Sequence, residues 1–333
     1  MEALRPTTSQ FFSRHWYRLT PVSLLLYPLS LVFRLAVAVR RLLFRLGVLR
    51  SVRIGIPVVV VGNLTVGGTG KTPLILALAK ALRQRGLRPG ILSRGYGGTN
   101  VSPLAVAPGD QAERVGDEPL LLAERSGCPV WIGADRVAAA RALCAAHSTC
   151  NVILCDDGLQ HYRLQRDFEI AVEDERGVGN GLLLPAGPLR EPADRSVDAR
   201  VVNGGESGLG VFGMRLVATG LYRVGDGQVQ LTWSELSGKK LHAVAGIGNP
   251  GRFFATLSRM GLVFSAHPFP DHHAFRSAEL QFADSDLVLM TEKDAVKCRR
   301  FGRQDLVAVR VEAEIDPALV ELILERIRGR APA

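Results

Sequence analysis

Short runs of aliphatic residues alternate with glycine-rich turns and amphipathic segments along most of the chain. The run from Ile56 to Val61 is apolar at every position, which is typical of a strand buried on both faces of a parallel sheet. The segment "PLILALAKALRQRG" that soon follows it predicts a helix, and Val152–Cys155 repeats the strand pattern. This alternation predicts an α/β fold with a mostly parallel sheet and helices on both faces.

The pattern changes once, near the middle of the second half. "LYRVGDGQVQLTW" (Leu221 to Trp233) predicts a β-hairpin, and strand–helix alternation resumes after it. We therefore predict four segments. They are an N-terminal segment (1–50), a larger α/β domain (51–215), a hairpin linker (216–236) and a smaller C-terminal α/β domain (237–330).

The N-terminal segment has an apolar run, Val22 to Val39, that is interrupted by Pro28 and Arg34. Beyond Pro28, a helix would place Arg34, Arg41 and Arg45 on one stripe and leucine and valine side chains on the opposite side. This arrangement favours a helix that lies in a membrane interface. A helix packed on the protein's own core and a true membrane span are the alternatives.

Charge is concentrated in the same segment. Residues 1–50 hold eight arginines and one glutamate, so they carry +7 of the formal net charge of +9. A nucleic-acid-binding protein would instead spread its basic residues over a face of the globular body, so we expect no nucleic-acid partner. The five cysteines form no Cys-x-x-Cys pair, which indicates buried thiols and a reducing compartment.

A phosphate-binding loop is predicted between the first strand and its helix. "TVGGTGKT" matches the end of the pattern G-x-x-x-x-G-K-[ST], with Thr65 in place of the first glycine. Backbone N–H groups at such a helix N-terminus bind phosphate oxygens. We expect Lys71 to reach the β- and γ-phosphates and the Thr72 hydroxyl to bind Mg²⁺. The predicted nucleotide-binding residues are Thr65, Val66, Gly67, Gly68, Thr69, Gly70, Lys71 and Thr72. The fold is then a P-loop NTPase-type sheet.

Acidic residues follow the Val152–Cys155 strand. Asp156 and Asp157 stand at the carboxyl end of that strand, where ligands bind in open α/β sheets. We expect Asp156 to bind Mg²⁺ and Asp157 to be a second metal or substrate contact. A plain Asp-Asp-Gly turn is the alternative.

Two further segments carry candidate chemistry. "LSRGYGG" holds Arg94 in a glycine loop, and "GLLLPAGPLREP" holds Arg190 in another. Asp117, in Gly-Asp-Glu-Pro, opens a predicted helix, and N-capping alone would explain it.

Seven motifs occur in order along the chain: "VGNLTVGGTGKTP", "SRGYGG", "GDEPLLLA", "DDGLQH", "LLPAGPLREP", "FPDHHAF" and "TEKDAVK". Together they resemble the tetraacyldisaccharide 4′-kinases, also called lipid A 4′-kinases, over roughly Arg53 to Lys297. Thr65 at the first loop position is a feature that this family shares.

The resemblance implies an ATP- and Mg²⁺-dependent kinase. Its substrate would be the 4′-hydroxyl of tetraacyldisaccharide 1-phosphate, a lipid A precursor, at the cytoplasmic face of the bacterial inner membrane. The N-terminal segment would then hold the enzyme on the membrane surface.

By the same resemblance, Asp117 is a catalytic base paired with His272, and Lys71 acts on the phosphates. Asp156 and Thr72 are the metal-binding residues. Arg94, Asp157, His161 and Arg190 match substrate-contacting positions. His273 adjoins His272, so the histidine assignment is open by one residue.

Other functions remain possible from the residues alone. A P-loop GTPase or ATPase switch, or a metallochaperone, would also suit "GGTGKT". "TEKD" (Thr291 to Asp294) imitates a guanine-reading segment after a predicted strand. A soluble small-molecule kinase or ligase would leave the N-terminal segment without a role.

Overall fold

A computed structural model describes residues 15–98, 102–227 and 229–329. The helices are α1 (Pro21–Arg45), α2 (Lys71–Gln84), α3 (Ala112–Val115), α4 (Asp117–Ser126), α5 (Arg136–Ala146), α6 (Pro250–Arg259), α7 (Glu292–Cys298) and α8 (Pro317–Arg328). Short 3₁₀ turns occupy Trp233–Leu236, Ser277–Leu280 and Arg299–Phe301.

The strands of the described residues form one sheet. They are β1 (Val58–Gly62), β2 (Pro89–Ser93), β3 (Leu104–Val106), β4 (Val130–Ile132), β5 (Val152–Asp156), β6 (Phe168–Asp174), β7 (Ala199–Asn203), β8 (Val211–Arg223), β9 (Gln230–Leu231), β10 (Leu241–Ala245), β11 (Phe264–Pro268), β12 (Leu287–Thr291) and β13 (Leu306–Ile315). Their order is β11-β10-β12-β13-β8-β7-β6-β1-β5-β2-β4-β3, and β9 pairs with β8.

The pairing is mostly parallel, as the sequence predicts. β1 lies between β5 and β6, parallel to both, so its carboxyl end is central in the first half of the sheet. Successive β1 side chains alternate between the two faces. Val59 and Val61 join one apolar cluster, while Val58 and Val60 join the cluster on the other face. Both faces are covered, which is why this strand has no polar position.

Strand β8 connects the two halves of the sheet. The first half contains β1–β7, and the second half contains β10–β13. Strand β8 is parallel to β7 on one side and antiparallel to β13 on the other, with register Met214↔Ile315 at one end and Arg223↔Val307 at the other. The predicted hairpin is present, because β9 pairs antiparallel with β8 at Leu221↔Leu231.

Helix α8 lies in the segment predicted as the smaller domain, but it packs on the first half. Leu319, Ile323 and Ile327 belong to the same apolar cluster as Val59 and Leu74. The two halves therefore share core packing as well as a sheet.

Helix α1 lies on the surface of the first half, and Pro28 is inside it. Its length and composition are sufficient to cross a membrane, and 11% of its most apolar window is buried. The buried and half-buried positions recur every three or four residues and therefore form one stripe against the protein. They include Ser23, Leu26, Ser30, Phe33, Val37, Arg41 and Phe44.

The remainder of α1 exposes large apolar side chains, among them Leu25, Leu35 and Leu42. Ser30 fixes the helix to the protein, since its hydroxyl donates to the carbonyl of Leu183 at 2.7 Å and accepts from the N–H of Ala186 at 3.0 Å. Arg34 and Arg45 are exposed and Arg41 is half-buried.

Candidate active site

The predicted phosphate loop joins β1 to α2. Gly70 has a φ of 102° at the N-cap of α2, and a Cβ there would approach the Asn203 amide nitrogen to 2.6 Å. Only glycine suits this position, because the conformation is left-handed and the space is filled. Lys71 follows it, and its Nζ donates to Asn63 Oδ1 at 3.1 Å.

Thr65 pairs with a segment outside the loop. It is 8% exposed and pairs with Leu189, while the next N–H, of Val66, donates to the carbonyl of Pro188 at 2.9 Å. The first loop position is therefore used to fasten the loop to the segment that carries Arg190. A threonine is suitable at this position because the backbone forms a β-bridge, and β-branched residues favour the extended conformation.

Asp156 ends β5 and is buried beside the phosphate loop. Its Oδ2 accepts from the Ser93 hydroxyl at 2.9 Å, whereas its Oδ1 is buried with no partner among the described residues. Burial and the nearby Glu118 carboxylate raise the pKa of Asp156 to about 7, against the opposing charge of Lys71. A buried acceptor oxygen of this kind needs a cation or a donor.

Asp157 turns toward two cations. It has a φ of 47°, an uncommon conformation for a residue other than glycine. Arg190 Nη1 donates to its two carboxylate oxygens at 3.0 and 3.1 Å, and Lys71 Nζ lies 3.6 Å from Oδ1. Burial acts to raise the pKa of Asp157, but Lys71 and Arg190 outweigh it, so the pKa is lowered.

Asp117 and His272 are in contact. His272 Nδ1 lies 3.0 and 3.1 Å from the two Asp117 carboxylate oxygens, and Asp117 is 5% exposed. Asp117 is the first residue of α4, and Gly116 is the N-cap, so the capping interpretation does not hold for Asp117. His273 instead faces Glu279, with Nε2 3.1 Å from Oε2. Of the two adjacent histidines, His272 is therefore the one that contacts Asp117.

Two lysines of α7 surround this pair. Lys293 Nζ donates to Glu118 at 2.9 Å and to Asp271 at 3.3 Å, and it lies 3.4 Å from His272 Nε2. Lys297 Nζ lies 3.8 Å from Asp117. If Nε2 accepts from Lys293, the neutral imidazole carries its proton on Nδ1 and donates it to Asp117.

The charges determine the protonation of the pair. Burial acts to raise the pKa of Asp117, but the His272 hydrogen bond and the charges of Lys293 and Lys297 lower it to about 2. Burial acts to lower the pKa of His272, whereas the Asp117 hydrogen bond and charge raise it above its ordinary value. Asp117 therefore stabilises the protonated imidazole, while His272 and the two lysines stabilise the ionised carboxylate.

These groups face one large cavity of about 1070 Å³. The sequence-predicted residues that line it are Val66, Gly67, Gly68, Lys71, Arg94, Asp156, Asp157, His161, Arg190 and His272. Asp117 is not among the lining residues and reaches the cavity through His272. Helix α1 supplies part of the lining through Phe33, Val37 and Arg40. The cavity thus combines an anion-binding loop with an apolar wall.

Arg94 and His161 add unpaired polar groups to this cavity. Arg94 is exposed, and within the described ranges it has no hydrogen bond or ion pair. His161 Nε2 is buried without a partner in the part of the chain that the structure describes. Burial and the charge of Arg136 lower the pKa of His161 to about 4, so it is neutral at pH 7 and its ring offers a hydrogen bond without a charge.

A smaller cavity of about 180 Å³ adjoins the phosphate loop on the side of the second half. It is lined by Gly68–Thr72 and by residues of β8, α6, α7 and β13. Ile247, Gly248 and Asn249 of "GIGNPG" contribute to it, so that turn contacts the loop region. Thr72 lines this cavity, and Lys71 lines both.

Sequence reasoning missed several cavity residues. Arg136, at the start of α5, is 2% exposed and lines the larger cavity, and Glu118 lines both cavities. Lys293 also reaches the site, although its segment resembles an ordinary helix start. The signal available for Glu118 and Lys293 was their place in the quoted motifs. Arg136 follows a helix N-cap aspartate, and nothing local marks it as a site residue.

The segment that imitates a guanine-reading motif is used for packing. Asp294 is fully buried and accepts from the N–H of Gly246 at 2.9 Å and the Thr291 hydroxyl at 2.7 Å. Glu292 is paired with Arg125. These contacts leave no carboxylate there for a guanine base. Within the described ranges, no cluster of three or more His, Cys, Asp or Glu side chains is arranged to hold a metal ion.

Known proteins share this fold and sequence. A family profile described as tetraacyldisaccharide-1-P 4′-kinase matches residues 22–328. The tetraacyldisaccharide 4′-kinase of Methylobacillus flagellatus is 50% identical over 322 residues, which are 96% of each chain. That of Azoarcus sp. is 50% identical over 328 residues, with the same coverage. A crystal structure of LpxK from Aquifex aeolicus in complex with ATP has a TM-score of 0.78 and 29% identity, covering 92% of this chain and 99% of that one.

Proposed function

The chain belongs to the tetraacyldisaccharide 4′-kinase family, and from that premise we propose how its residues perform the reaction. It is an ATP-dependent kinase of lipid A biosynthesis that phosphorylates the 4′-hydroxyl of a tetraacyldisaccharide 1-phosphate. The observation that carries the residue assignment is that Lys71 and His272, the latter bonded to Asp117, line one cavity.

The Asp117–His272 pair is the proposed proton acceptor. A sugar hydroxyl is a weak nucleophile at neutral pH, and a positioned base gains about 10²–10⁴-fold in rate. His272 faces the cavity and Asp117 accepts from its Nδ1–H, so the lone pair on Nε2 of the neutral ring takes the hydroxyl proton and Asp117 stabilises the imidazolium that forms. Lys293 lies 3.4 Å from Nε2, and its bonds to Glu118 and Asp271 keep it in place when the substrate hydroxyl becomes the partner of Nε2.

The phosphate loop and Lys71 are proposed to hold the transferred phosphoryl group. N–H groups of the loop and the Nζ of Lys71 face the oxygens on which negative charge is distributed during transfer. Lys71 is prepositioned by Asn63 and Asp157, so little reorganisation is needed when ATP arrives. Positioning of this kind supplies most of the acceleration in phosphoryl transfer.

Asp156 and the Thr72 hydroxyl are proposed to hold Mg²⁺. The unpartnered buried Oδ1 of Asp156 is the kind of hard oxygen donor that Mg²⁺ prefers, and Mg²⁺ sites need only one or two carboxylates beside phosphate oxygens. When bound, the ion neutralises charge on the phosphates. Ser93 holds the other oxygen of Asp156 and thereby orients the free one.

Arg94, His161, Arg190 and Asp157 are proposed to contact the lipid substrate. The substrate carries a phosphate at its 1-position, and guanidinium groups bind phosphate well through paired N–H donors. Arg94 has its donors free for this role among the described residues. Neutral His161 suits a sugar hydroxyl better than a second anion, since its pKa is low.

Helix α1 is proposed to hold the enzyme on the cytoplasmic face of the inner membrane. Its outward leucines would enter the lipid, and Arg34 and Arg45 would meet anionic headgroups at about 1 kcal/mol each. Phe33 and Val37 of the inward stripe of the same helix line the cavity. A substrate could then present its sugar to the cavity while its acyl chains stay in the bilayer.

A labelling experiment tests the proposal. The protein is incubated with γ-labelled ATP, Mg²⁺ and a tetraacyldisaccharide 1-phosphate in detergent, and the lipid is extracted and analysed. We expect label on the 4′-oxygen, a strongly reduced labelling rate when Asp117 is replaced by alanine, and a much lower rate with labelled GTP. A wild-type rate in the Asp117→Ala protein would overturn the base assignment, and preferred use of GTP would favour the switch hypothesis.

A further inference from the structure

Three successive carbonyl oxygens of the phosphate loop are each bound by a side chain from outside it. The Gly67 carbonyl accepts from Asn63 Nδ2 at 2.9 Å, and the Thr69 carbonyl accepts from Asn203 Nδ2 at 3.1 Å. Between them, the Gly68 carbonyl accepts from Arg176 Nη2 at 2.9 Å.

These bonds determine where the loop's N–H groups point. A trans peptide unit is planar, so the carbonyl of one residue and the N–H of the next point in opposite directions. Fixing the carbonyls of Gly67, Gly68 and Thr69 therefore fixes the N–H groups of Gly68, Thr69 and Gly70. Those N–H groups are the ones expected to bind phosphate oxygens.

Arg176 differs from the two asparagines because it also contacts the second half of the sheet. Its Nη1 donates to the carbonyl of Gly248 at 3.4 Å, in the "GIGNPG" turn after β10. The two backbones nearly touch there, since a Cβ on Gly248 would lie 2.2 Å from the Gly68 nitrogen. One guanidinium thus joins the phosphate loop to the opposing half.

A buried carboxylate holds that guanidinium in place. Asp174 ends β6, the neighbour of β1, and its side chain is 2% exposed. It accepts from Arg176 Nε at 3.1 and 3.0 Å and from Nη2 at 2.7 Å. This bidentate pair leaves the remaining N–H groups of Arg176 directed at the two carbonyls. Arg176 also lies over the ring of Tyr17, 5.7 Å from its centroid.

We propose that Arg176 is a positioning residue for ATP binding. It fixes the orientation of the phosphate loop and connects the loop to the Gly248 turn of the second half of the sheet. Arg176 also lines the larger cavity, but its N–H groups are bonded to Asp174 and to the carbonyls of Gly68 and Gly248, so it acts through the Gly68 carbonyl. Its effect should therefore appear in ATP affinity, whatever lipid the enzyme uses. The role of Arg176 in ATP binding and the identity of the lipid substrate can therefore be tested separately.

Arg200 provides a matched control. It likewise pairs with a carboxylate, Glu173, and donates to two backbone carbonyls, of Ala193 at 2.9 Å and Arg195 at 3.1 Å. Its side chain is 27% exposed, against 22% for Arg176. It touches neither the phosphate loop nor either cavity.

The test compares Arg176→Ala with Arg200→Ala. ATP affinity is measured by calorimetric titration without lipid, and KM and kcat are then measured with lipid. Removing one hydrogen bond to a charged group predicts an ATP affinity about 10- to 100-fold lower in Arg176→Ala, with the KM for lipid unchanged. Arg200→Ala should bind ATP like the wild type. Equal ATP affinity in the wild type and Arg176→Ala would overturn the proposal, as would an equal loss in both variants.

A second variant covers the case in which Arg176→Ala does not fold. Arg176→Lys keeps the charge beside Asp174, but an ammonium has no fork of donors to reach Asp174 and both carbonyls. We expect it to fold and to bind ATP at least about 10-fold more weakly than the wild type. Wild-type ATP affinity in Arg176→Lys would overturn the assignment.

Discussion

Asp117 and His272 are 155 residues apart in the chain, and His272 Nδ1 lies 3.0 Å from the Asp117 carboxylate. Asp117 belongs to the first half of the sheet and His272 follows β11 in the second. His272 adopts a φ of 58°, a conformation that costs free energy for a residue other than glycine. The contact therefore depends on how the two halves of the sheet are joined. Separating the halves would break the Asp117–His272 hydrogen bond of the proposed proton acceptor.

Replacing His272 should slow the chemical step and leave ATP binding intact. We expect His272→Ala to lower kcat by about 10²–10⁴-fold, because the pair loses its cavity-facing member. The KM for ATP should change little, since the phosphate loop is untouched. His273→Ala is the matched control, because His273 bonds to Glu279 instead. Equal losses of kcat in the two variants would contradict the assignment of His272.

The same pair should make stability depend on pH. The pKa of His272 is raised above its ordinary 6.5 in the folded protein, so the pair contributes stability that is fully present below about pH 6.5. That contribution is lost as the pH rises through the raised value. The thermal midpoint of His272→Gln should therefore fall further below that of the wild type at about pH 5.5 than at about pH 9.

Asp117→Asn provides the check on this interpretation. It removes the carboxylate that raises the pKa of His272, so its own deficit relative to the wild type should show the same trend with pH. Deficits that are constant across the pH range would indicate that the pair does not titrate as described.

Asp156 should control the response to Mg²⁺. We expect Asp156→Asn to lower kcat at least about 10²-fold, since it removes a charged oxygen donor at the phosphates. In the wild type, ATP affinity should be higher with Mg²⁺ than with a chelator, and Asp156→Asn should lose that difference. Ser93→Ala, which keeps the carboxylate but removes the bond that orients it, is expected to reduce the difference without abolishing it. A full Mg²⁺ effect in Asp156→Asn would refute the metal assignment.

Charges on the outer face of α1 should release the protein from membranes. Leu25 and Leu35 are 80% and 65% exposed, so a Leu25→Glu/Leu35→Glu protein should keep its thermal midpoint. It should no longer sediment with vesicles that contain anionic lipid, because burying the two carboxylates is costly. Leu209→Glu is the control, since Leu209 is exposed outside α1. Sedimentation of the double variant at the wild-type level would argue against the interfacial role.

Local patterns predicted the parts of the fold that a contiguous segment encodes. The β1 strand, the glycine loop and α2 follow one another within residues 58–84, and their apolar periods are distinct. The position of Asp156 and Asp157 was equally accessible, because parallel strands carry their carboxyl ends to one edge of the sheet. The sequence also predicted a helix with leucine and valine side chains along one side for α1. Pro28, which interrupts the apolar run in the sequence, lies inside one continuous helix.

Side chains that bind distant segments of the chain could not be predicted from local patterns. Arg176, Asn203 and Lys293 have no local pattern that indicates their partners. Arg176 meets Gly248 only because β6 ends beside the phosphate loop and β10 ends across from it.

The sequence by itself determined the α/β class, the phosphate loop and the family, since each resides in short segments or in the order of motifs along the chain. The tertiary structure decided which distant groups meet: Asp117 with His272, Arg176 with Gly68 and Gly248, and α8 with the core of the first half. The physical reason is that local periodicity specifies which face of an element is buried. The register of β8 against β13, which no local period encodes, sets how the two halves face each other.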